Sequence, residues 1–185
     1  MRKLALGAAL AALLAGPALA TELAIEVAGE GANGTIVIDL ADDVAPNHVA
    51  QITALAKEGA YDGVVFHRVI DGFMAQTGDV QFGKLGGDMR RAGMGGSERP
   101  DLKAEFSDVP FERGVVGMAR SQNPDSANSQ FFIMFAPGPF LNGQYTVVGR
   151  VTEGMDVVDA IKRGDGPNGA VIGQPDVMKS VTVRD

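Results

Sequence analysis

The sequence contains no cysteine and only two histidines, and these absences exclude several kinds of chemistry. Without cysteine the chain has no disulfide, no thiolate nucleophile and no cysteine-ligated metal. Because His48 and His67 are the only imidazoles, no metal site can be built from several histidines; a mixed carboxylate site is left open, but no motif supports one. The G-x-S-x-G and P-loop motifs of hydrolases and nucleotide-binding proteins do not occur either. These absences therefore exclude cysteine chemistry and a metal site built from several histidines.

Long apolar runs are lacking after residue 20, whereas residues 1–20 have the pattern of a secretory signal peptide. Arg2 and Lys3 form a positive start, an apolar run follows from Leu4 to Leu14, and Ala18-Leu19-Ala20 provides the small residues that a signal peptidase needs. The apolar run is short for a membrane span, so a retained N-terminal anchor is the weaker alternative. We expect cleavage and export, to the periplasm of a Gram-negative bacterium or, where the cell lacks an outer membrane, by secretion.

Basic side chains are outnumbered by acidic ones. The whole chain has 16 Lys and Arg against 23 Asp and Glu, and without the two basic residues of the leader the remainder carries 14 against 23, a net charge of −9. Such an acidic protein is a poor partner for the phosphate backbone of nucleic acid, which requires clustered Lys and Arg. Residues 21–185 suffice for one domain with its own hydrophobic core. We expect no membrane contact after the signal peptide is removed, and a monomer is the simplest expectation.

The mature sequence is rich in short β-prone segments separated by glycine-containing turns. These segments predict strands at 23–27, 35–40, 64–70, 114–119, 130–136, 145–151 and 178–183. An apolar stripe that begins at Pro46 and ends before Gly59 predicts one helix, and residues 155–162 predict a second, shorter one. With 25 glycines and many short strands, the pattern favours an all-β closed barrel or sandwich whose ends are capped by the two helices.

Two glycine-rich segments are predicted to be connections. Residues 81–103 have little periodicity and a local positive excess that includes Arg90 and Arg91, so a solvated loop is the first expectation and contact with acidic or unfolded clients is the alternative. Residues 164–169 match G-x-G-x-x-G, but they follow a helix instead of a strand and contain Pro167. We therefore interpret this second segment as a turn.

The run from Phe66 to Asp79, FHRVIDGFMAQTGD, carries the most specific signal in the chain. It resembles the defining segment of the cyclophilin-type peptidyl-prolyl isomerases, whose pattern F-H-R-[IV]-[IV]-x-G-F-M-x-Q-x-G-D it matches at every fixed position. Two later blocks, one at 117–120 with 128–133 and one at 140–151, resemble the same family in order and spacing. The resemblance covers essentially all of 21–185. It implies a closed eight-stranded antiparallel barrel capped by two α-helices, and an enzyme that isomerises X–Pro bonds without a cofactor.

Isomerisation of an X–Pro bond makes particular demands on a site. Amide resonance is lost in the twisted state, which sets a barrier of ~18–20 kcal/mol and an uncatalysed time of about 10–100 s. No covalent bond is broken, so neither a nucleophile nor a general base is needed. What helps is an apolar pocket for the proline ring and a donor aimed at the prolyl nitrogen, which becomes an acceptor once the bond is twisted.

The resemblance implies roles for one charged residue and a set of groove residues. Arg68 matches the arginine that donates to the prolyl nitrogen, although taken alone it would more often be a surface arginine paired with a carboxylate. The proline pocket implied by the match consists of Phe73, Met74, Phe132 and Leu141, which without the family would more often be core residues. The other substrate-binding positions implied by the match are Gln76, Ala119, Arg120, Gln130, Phe140 and Tyr145.

The predicted strand 64–70 sets the direction of its side chains. With period-two alternation, Arg68 shares a face with Phe66 and Ile70, whereas His67 points to the opposite face. We therefore expect His67 to be a structural histidine whose ring is satisfied in the core.

Three positions depart from the family pattern. Phe140 stands where members that bind cyclosporin tightly have tryptophan, Tyr145 stands where many eukaryotic members have histidine, and Arg120 replaces an asparagine. The first two departures are similar to prokaryotic members. We expect weaker cyclosporin binding without the indole donor, and an altered preference for residues beside the proline because of the added charge. Since Arg68 is present, activity is expected to persist.

The function that these observations favour is an exported foldase that accelerates X–Pro isomerisation in proline-containing, unfolded or partly folded polypeptides. The alternative is a proline-peptide-binding module or holdase chaperone with incidental turnover, which has less need of Arg68. The two differ in whether Arg68→Ala abolishes the biological role or only the isomerase rate.

Overall fold

The computed structural model describes residues 21–184, so the predicted signal peptide at 1–20 lies outside the described residues. The described chain forms nine strands: β1 (Glu22–Ala28), β2 (Gly34–Leu40), β3 (Val64–Val65), β4 (Arg68–Ile70), β5 (Met74–Thr77), β6 (Val115–Met118), β7 (Phe131–Met134), β8 (Val147–Glu153) and β9 (Val177–Arg184). Two α-helices accompany them, α1 (Pro46–Lys57) and α2 (Met155–Ala160). Short 3-10 turns occur at Met89–Arg91, Pro139–Leu141 and Pro167–Gly169. Within the described range, no helix has the length and apolarity that crossing a bilayer requires.

Both predicted helices and most predicted strands are confirmed, with ends that differ by one or two residues. The strand β5 was not predicted, because Met, Ala and Gln at 74–76 are weak strand formers. It forms because it is paired on both sides, with β4 and with β7. Pairing in the folded protein therefore overrides the weak local preference of this segment.

The nine strands form one antiparallel sheet that curls into a half-barrel, in the order β3-β9-β1-β2-β8-β6-β7-β5-β4. The prediction of a closed eight-stranded barrel is wrong. The predicted strand 64–70 is divided at Phe66 and His67 into β3 and β4, and these two strands are the opposite edges of the sheet. β3 pairs with β9 and β4 pairs with β5, and no ladder joins β3 to β4 in the part of the chain that the structure describes.

The main-chain groups of Phe66 and His67 explain this break. The Phe66 amide donates to the Asp176 carbonyl at 2.9 Å, and the His67 carbonyl accepts from the Val171 amide at 3.0 Å. Both bonds lead to the segment before β9 and not to a neighbouring strand. The expectation that Phe66 and Arg68 share a face is therefore also wrong, since Phe66 is fully buried in the main core and Arg68 lines a surface cavity.

Alternating side chains of the sheet bury two separate apolar clusters. The main core combines one face of the strands with the apolar side of α1. In β7, for example, Phe131 and Ile133 belong to this core, whereas Phe132 and Met134 belong to a smaller second cluster on the opposite face. The members of the second cluster are Met74, Phe111, Val115, Phe132, Met134, Leu141 and Val147. This second cluster supplies the floor of a surface groove.

Candidate active site

Four positions lie in one row across neighbouring strands. Arg68 of β4 is directly opposite Gln76 of β5. Gln76 is in turn opposite Phe132 of β7, which is opposite Gly117 of β6. Directly opposed residues of antiparallel strands project their side chains from the same face of the sheet. The register therefore brings a guanidinium, a carboxamide and an aromatic ring to one surface.

The floor of this surface is apolar and closely packed. Met74, Phe132 and Leu141 are 2%, 5% and 6% exposed. The Phe132 ring stacks on Phe111 with 5.7 Å between the ring centroids. Gly117 makes room for this stack, because a Cβ atom there would lie 2.6 Å from both rings. The shape of the floor therefore depends on aromatic packing and on the missing side chain of Gly117.

Aromatic side chains border the floor. The Phe140 ring is 64% exposed and lies 5.4 Å from the Phe73 ring, centroid to centroid. Tyr145 meets Phe132 edge to face, with 5.9 Å between the ring centroids. These contacts give the groove an apolar border that continues from the buried floor to the solvent.

The Arg120 guanidinium is held at the same groove by two kinds of contact. Its Cζ atom lies 4.3 Å from the centroid of the Tyr145 ring, a distance typical of a cation–π pair. Its Nη2 donates to the Gln144 carbonyl at 2.8 Å, and its Nη1 donates to the Ser121 carbonyl at 2.9 Å. A positive charge therefore borders the groove at a fixed place.

The predicted site residues meet in this groove. A cavity of about 420 Å³ is lined by Arg68, Phe73, Met74, Gln76, Ala119, Arg120, Phe132, Phe140, Leu141, Gln144 and Tyr145. The remaining predicted residue, Gln130, lines an adjoining cavity of about 220 Å³. The two cavities share Gln76, Ala119 and Arg120, so the structure brings all the predicted residues to one continuous surface.

Three hydrogen bonds fix the guanidinium of Arg68. Its Nη1 donates to Gln76 Oε1 at 3.0 Å, its Nε donates to the Asn168 carbonyl oxygen at 3.0 Å, and its Nη2 donates to Asn168 Oδ1 at 3.1 Å. Burial lowers the pKa of Arg68 below its ordinary value, but a guanidinium stays charged in proteins. It has more N–H donors than these three bonds use, so it can also donate to a ligand in the groove.

Gln76 connects Arg68 to the glycine-rich loop through Gln130. Gln76 Nε2 donates to Gln130 Oε1 at 3.0 Å. Gln130 Nε2 donates in turn to the carbonyl oxygens of Gly93 and Gly95, at 3.0 and 2.8 Å. A continuous chain of hydrogen bonds therefore runs from the loop through two carboxamides to the guanidinium.

Asp79 holds the loop that supports this chain of hydrogen bonds. The side chain is fully buried, and its Oδ2 accepts from the amides of Gly93 and Gly95 at 2.8 and 3.0 Å. Its Oδ1 accepts from the amides of Gln81 and Phe82 at 3.1 and 2.8 Å. One carboxylate therefore fastens the start and the middle of segment 81–103.

Three cations of the predicted loop 81–103, Lys84, Arg90 and Arg91, are engaged within the protein. The loop itself is confirmed, since the segment contains neither an α-helix nor a named strand. Arg90 pairs with Asp88 at 2.8 Å, and the Arg91 guanidinium lies 3.6 Å from the centroid of the Phe82 ring. Lys84 Nζ donates to two main-chain carbonyls at 2.6 and 2.5 Å. These contacts weigh against a free basic patch for acidic clients.

His67 is buried, as expected, but its ring is not satisfied. In the described part of the chain neither ring nitrogen has a hydrogen-bond partner. Gly93 packs so closely that a Cβ atom there would lie 3.0 Å from the ring. Burial lowers the pKa of His67 from 6.5 to about 4, so the ring is neutral at neutral pH. The Asp79 carboxylate and the Val65 main chain lie near enough to raise the pKa of the ring, but burial has the larger effect. The expectation of a satisfied histidine is therefore not confirmed, since neither ring nitrogen makes a regular hydrogen bond within residues 21–184.

Two residues that contact this site were missed in the sequence. Gln144 lines the larger cavity, and Asn168 binds Arg68 from the segment interpreted only as a turn. The turn is confirmed, since Pro167–Gly169 forms a 3-10 turn. The order Pro-Asn-Gly indicates a turn, but nothing in it indicates that the turn contacts β4. Within residues 21–184, no three His, Asp or Glu side chains are grouped so that they could hold a metal ion.

Comparisons with known proteins agree with this geometry. The family described as cyclophilin type peptidyl-prolyl cis-trans isomerase/CLD matches residues 23–183. A probable peptidyl-prolyl cis-trans isomerase of Brucella suis is 61% identical over 154 residues, which cover 82% of this chain and 79% of that protein. A peptidyl-prolyl cis-trans isomerase of Helicobacter pylori is 40% identical over 136 residues, which cover 71% of this chain and 77% of that protein.

Solved structures share the fold. A cyclophilin from Hirschia baltica matches with a TM-score of 0.69 at 28% identity and covers 87% of this chain and 73% of its own. A cyclophilin type peptidyl-prolyl cis-trans isomerase of Cryptosporidium parvum, solved in the presence of the dipeptide Ala-Pro, matches with a TM-score of 0.72 at 23% identity and covers 89% of this chain and 99% of its own. The family match over almost the whole described chain, with relatives this similar, shows that this chain belongs to the cyclophilin-type peptidyl-prolyl cis-trans isomerases, a family of cofactor-independent enzymes.

Proposed function

We propose that Arg68 is the catalytic residue of this isomerase and that the groove beside it binds the proline of an X–Pro bond. The observation that carries the proposal is a fixed guanidinium next to an apolar floor. Arg68 is held by Gln76 and Asn168, and it shares its cavity with the floor residue Phe132. A donor that is held in place before the substrate arrives needs no reorganisation when charge develops in the twisted state.

The proposed step is rotation without bond cleavage. When the amide twists, resonance is lost and the prolyl nitrogen becomes a hydrogen-bond acceptor. An N–H of Arg68 stabilises that nitrogen more in the twisted state than in the planar ground state, and only such differential binding increases the rate. Met74, Phe132 and Leu141 hold the proline ring, so the part of the substrate before the ring is free to rotate.

The other groove residues bind the flanking substrate chain in this proposal. Gln76 and Gln130 contact the substrate main chain and hold Arg68 in place. Ala119 and Arg120 border the chain on the side of the adjoining cavity, where the charge of Arg120 favours an acidic substrate residue. The substrates are proline-containing polypeptides, which is consistent with the Cryptosporidium parvum relative that was solved in the presence of Ala-Pro.

We also propose that the enzyme acts as a monomer on unfolded or partly folded exported proteins, in the periplasm or outside the cell. The proposal of export rests on the leader at 1–20, which lies outside the described residues. A monomer is sufficient for the proposed activity, because one chain supplies all the residues that line the groove. Expression of the full chain in a Gram-negative host tests it. Recovery from the periplasm with Thr21 as the first residue supports export, whereas cytoplasmic protein that keeps Met1 contradicts it.

Refolding of a client whose slow phase is limited by X–Pro isomerisation distinguishes the enzyme from a holdase chaperone. An enzyme accelerates the slow phase, and Arg68→Ala loses the acceleration. A holdase suppresses aggregation of the client to the same extent with or without Arg68. If the Arg68→Ala variant still accelerates the slow phase, the proposed catalytic role of Arg68 is contradicted.

A further inference from the structure

Asn168 has a conformation that is unusual for its residue type. Its φ of 56° and ψ of 28° lie in the left-handed region, and it is the one residue other than glycine with a positive φ in residues 21–184. Asparagine tolerates this region better than most side chains do, but glycine adopts it without a steric cost. If only the turn mattered, glycine would suit this position better. The presence of asparagine at this position therefore indicates a role for its side chain.

The contacts of Asn168 show such a role, because both of its acceptor oxygens bind Arg68. The main-chain oxygen accepts from Nε at 3.0 Å, and the side-chain Oδ1 accepts from Nη2 at 3.1 Å. Gln76 takes the remaining nitrogen, Nη1, at 3.0 Å. Bonds at all three nitrogens fix the plane of the guanidinium and not only the position of its centre. Two of those three bonds come from one residue.

The turn that carries Asn168 is itself firmly placed. The Ala170 amide donates to the Pro167 carbonyl at 3.1 Å, and the Gly166 amide donates to the Ala170 carbonyl at 3.0 Å. The turn also packs directly against β4, since a Cβ atom at Gly169 would lie 2.4 Å from the Ile70 side chain. The acceptors of Asn168 are therefore held relative to the strand that carries Arg68.

We propose that Asn168 is a positioning residue of the isomerase: it orients the Arg68 guanidinium so that a further N–H is directed into the groove. The inference rests on the proposed catalytic role of Arg68. Asn168 acts through Arg68, and it does not line the cavity that would hold the proline. Its loss should therefore lower kcat more than it weakens substrate binding.

The variant Asn168→Gly separates positioning from a structural role in the turn. Glycine keeps the left-handed conformation and the main-chain acceptor, but it removes Oδ1. We expect kcat/KM for a proline tetrapeptide to fall roughly threefold to tenfold, mostly in kcat, because a hydrogen bond to a charged group is lost at an exposed site. We expect the unfolding midpoint to stay the same or to rise. A residue needed only for the turn gives the opposite pattern, with full activity after replacement by glycine.

Two further variants complete the test. Asn168→Asp keeps an acceptor at Oδ1 and should recover part of the lost kcat. Asn33→Gly replaces an exposed asparagine of the β1–β2 turn and should leave turnover within about twofold of the wild type, since it touches neither Arg68 nor the groove.

Arg68→Ala in the same assay distinguishes failure of the positioning role of Asn168 from failure of the catalytic role of Arg68. If Arg68→Ala loses turnover while Asn168→Gly keeps the wild-type kcat, the positioning role is wrong and the catalytic role of Arg68 stands. If Asn168→Asp is no better than Asn168→Gly, the Oδ1 contact is not what matters, and the inference is also wrong. If Arg68→Ala itself keeps turnover, the proposed function fails first.

Discussion

Gln76 lies directly opposite Arg68 in the β4–β5 ladder, and its Oε1 accepts a hydrogen bond from Arg68 Nη1 at 3.0 Å. The same side chain donates to Gln130 at 3.0 Å, so it links the guanidinium to the loop behind the groove. Strand pairing holds the main chains of both residues, so the geometry of the pair follows from the sheet register. The position of the proposed catalytic donor is therefore set by the fold and not by the substrate.

Replacement of Gln76 by alanine should lower kcat/KM for a proline tetrapeptide by roughly tenfold to a hundredfold. The variant removes one of the bonds that fix Arg68, and a hydrogen bond to a charged group contributes about 1.5–3 kcal/mol. Gln81→Ala is the matched control, because Gln81 is an exposed loop glutamine that does not line the groove. Equal turnover in Gln76→Ala and Gln81→Ala, with both proteins folded, contradicts the role of Gln76.

Gly117→Ala should lower both the stability of the protein and its kcat/KM. The new methyl group would lie 2.6 Å from the rings of Phe111 and Phe132, so one ring must move. Overpacking of this kind costs about 1–3 kcal/mol, which urea unfolding should show, and kcat/KM should fall because Phe132 is part of the floor. The second substitution Phe111→Leu should restore part of both quantities. If Gly117→Ala has the same stability in urea and the same kcat/KM as the wild type, the proposed packing of the floor is wrong.

Phe140→Trp should strengthen the inhibition by cyclosporin. Phe140 is 64% exposed at the border of the groove, so a larger ring can be accommodated there, and indole adds an N–H donor. One added hydrogen bond is worth about 0.5–1.5 kcal/mol, which corresponds to roughly twofold to tenfold tighter inhibition. Phe140→Leu, which adds no donor, should not tighten it. An unchanged inhibition constant in Phe140→Trp contradicts the expectation.

His67 should make the protein less stable in mild acid. Because burial lowers its pKa from 6.5 to about 4, the unfolded state binds more protons than the folded state between these two values. The stability contribution of the neutral ring is therefore complete above about pH 6.5 and is lost as the pH falls toward 4, by up to about 3 kcal/mol.

The comparison with His67→Phe isolates this effect, since phenylalanine is a buried ring that does not titrate. Urea unfolding at a series of pH values should show that the wild type loses more stability than His67→Phe between pH 6.5 and pH 4. Parallel curves for the two proteins contradict the assignment of this pH dependence to His67.

The groove could be predicted from the sequence to a large extent. The residues Phe66 to Asp79 match the family pattern, and the alternation in β7 separates Phe132 from its core neighbours. The pairing of the strands could not be predicted from the sequence pattern. The strand β5 has weak strand formers and exists because β4 and β7 pair with it. The break at Phe66 likewise depends on a hydrogen bond to Asp176, far away in the sequence.

Asn168 is a residue of the site whose contact could not be predicted from the local sequence. Its segment has the composition of a turn, and it is a turn. Its contact with Arg68 joins residues 100 positions apart, and no local preference encodes such a contact. The surroundings of the His67 ring are a similar case, because Gly93, 26 positions later in the sequence, packs directly against the ring.

The most direct measurement is the rate of cis–trans isomerisation of a proline tetrapeptide by the wild type and by Arg68→Ala, with Arg90→Ala as a control. Arg90 is an exposed arginine that pairs with Asp88, two residues before it in the sequence. Removal of one preorganised donor typically lowers kcat by about 10²–10³. We expect a loss of this order in Arg68→Ala, full turnover in Arg90→Ala, and native circular dichroism in both. Wild-type turnover in a folded Arg68→Ala variant would contradict the account.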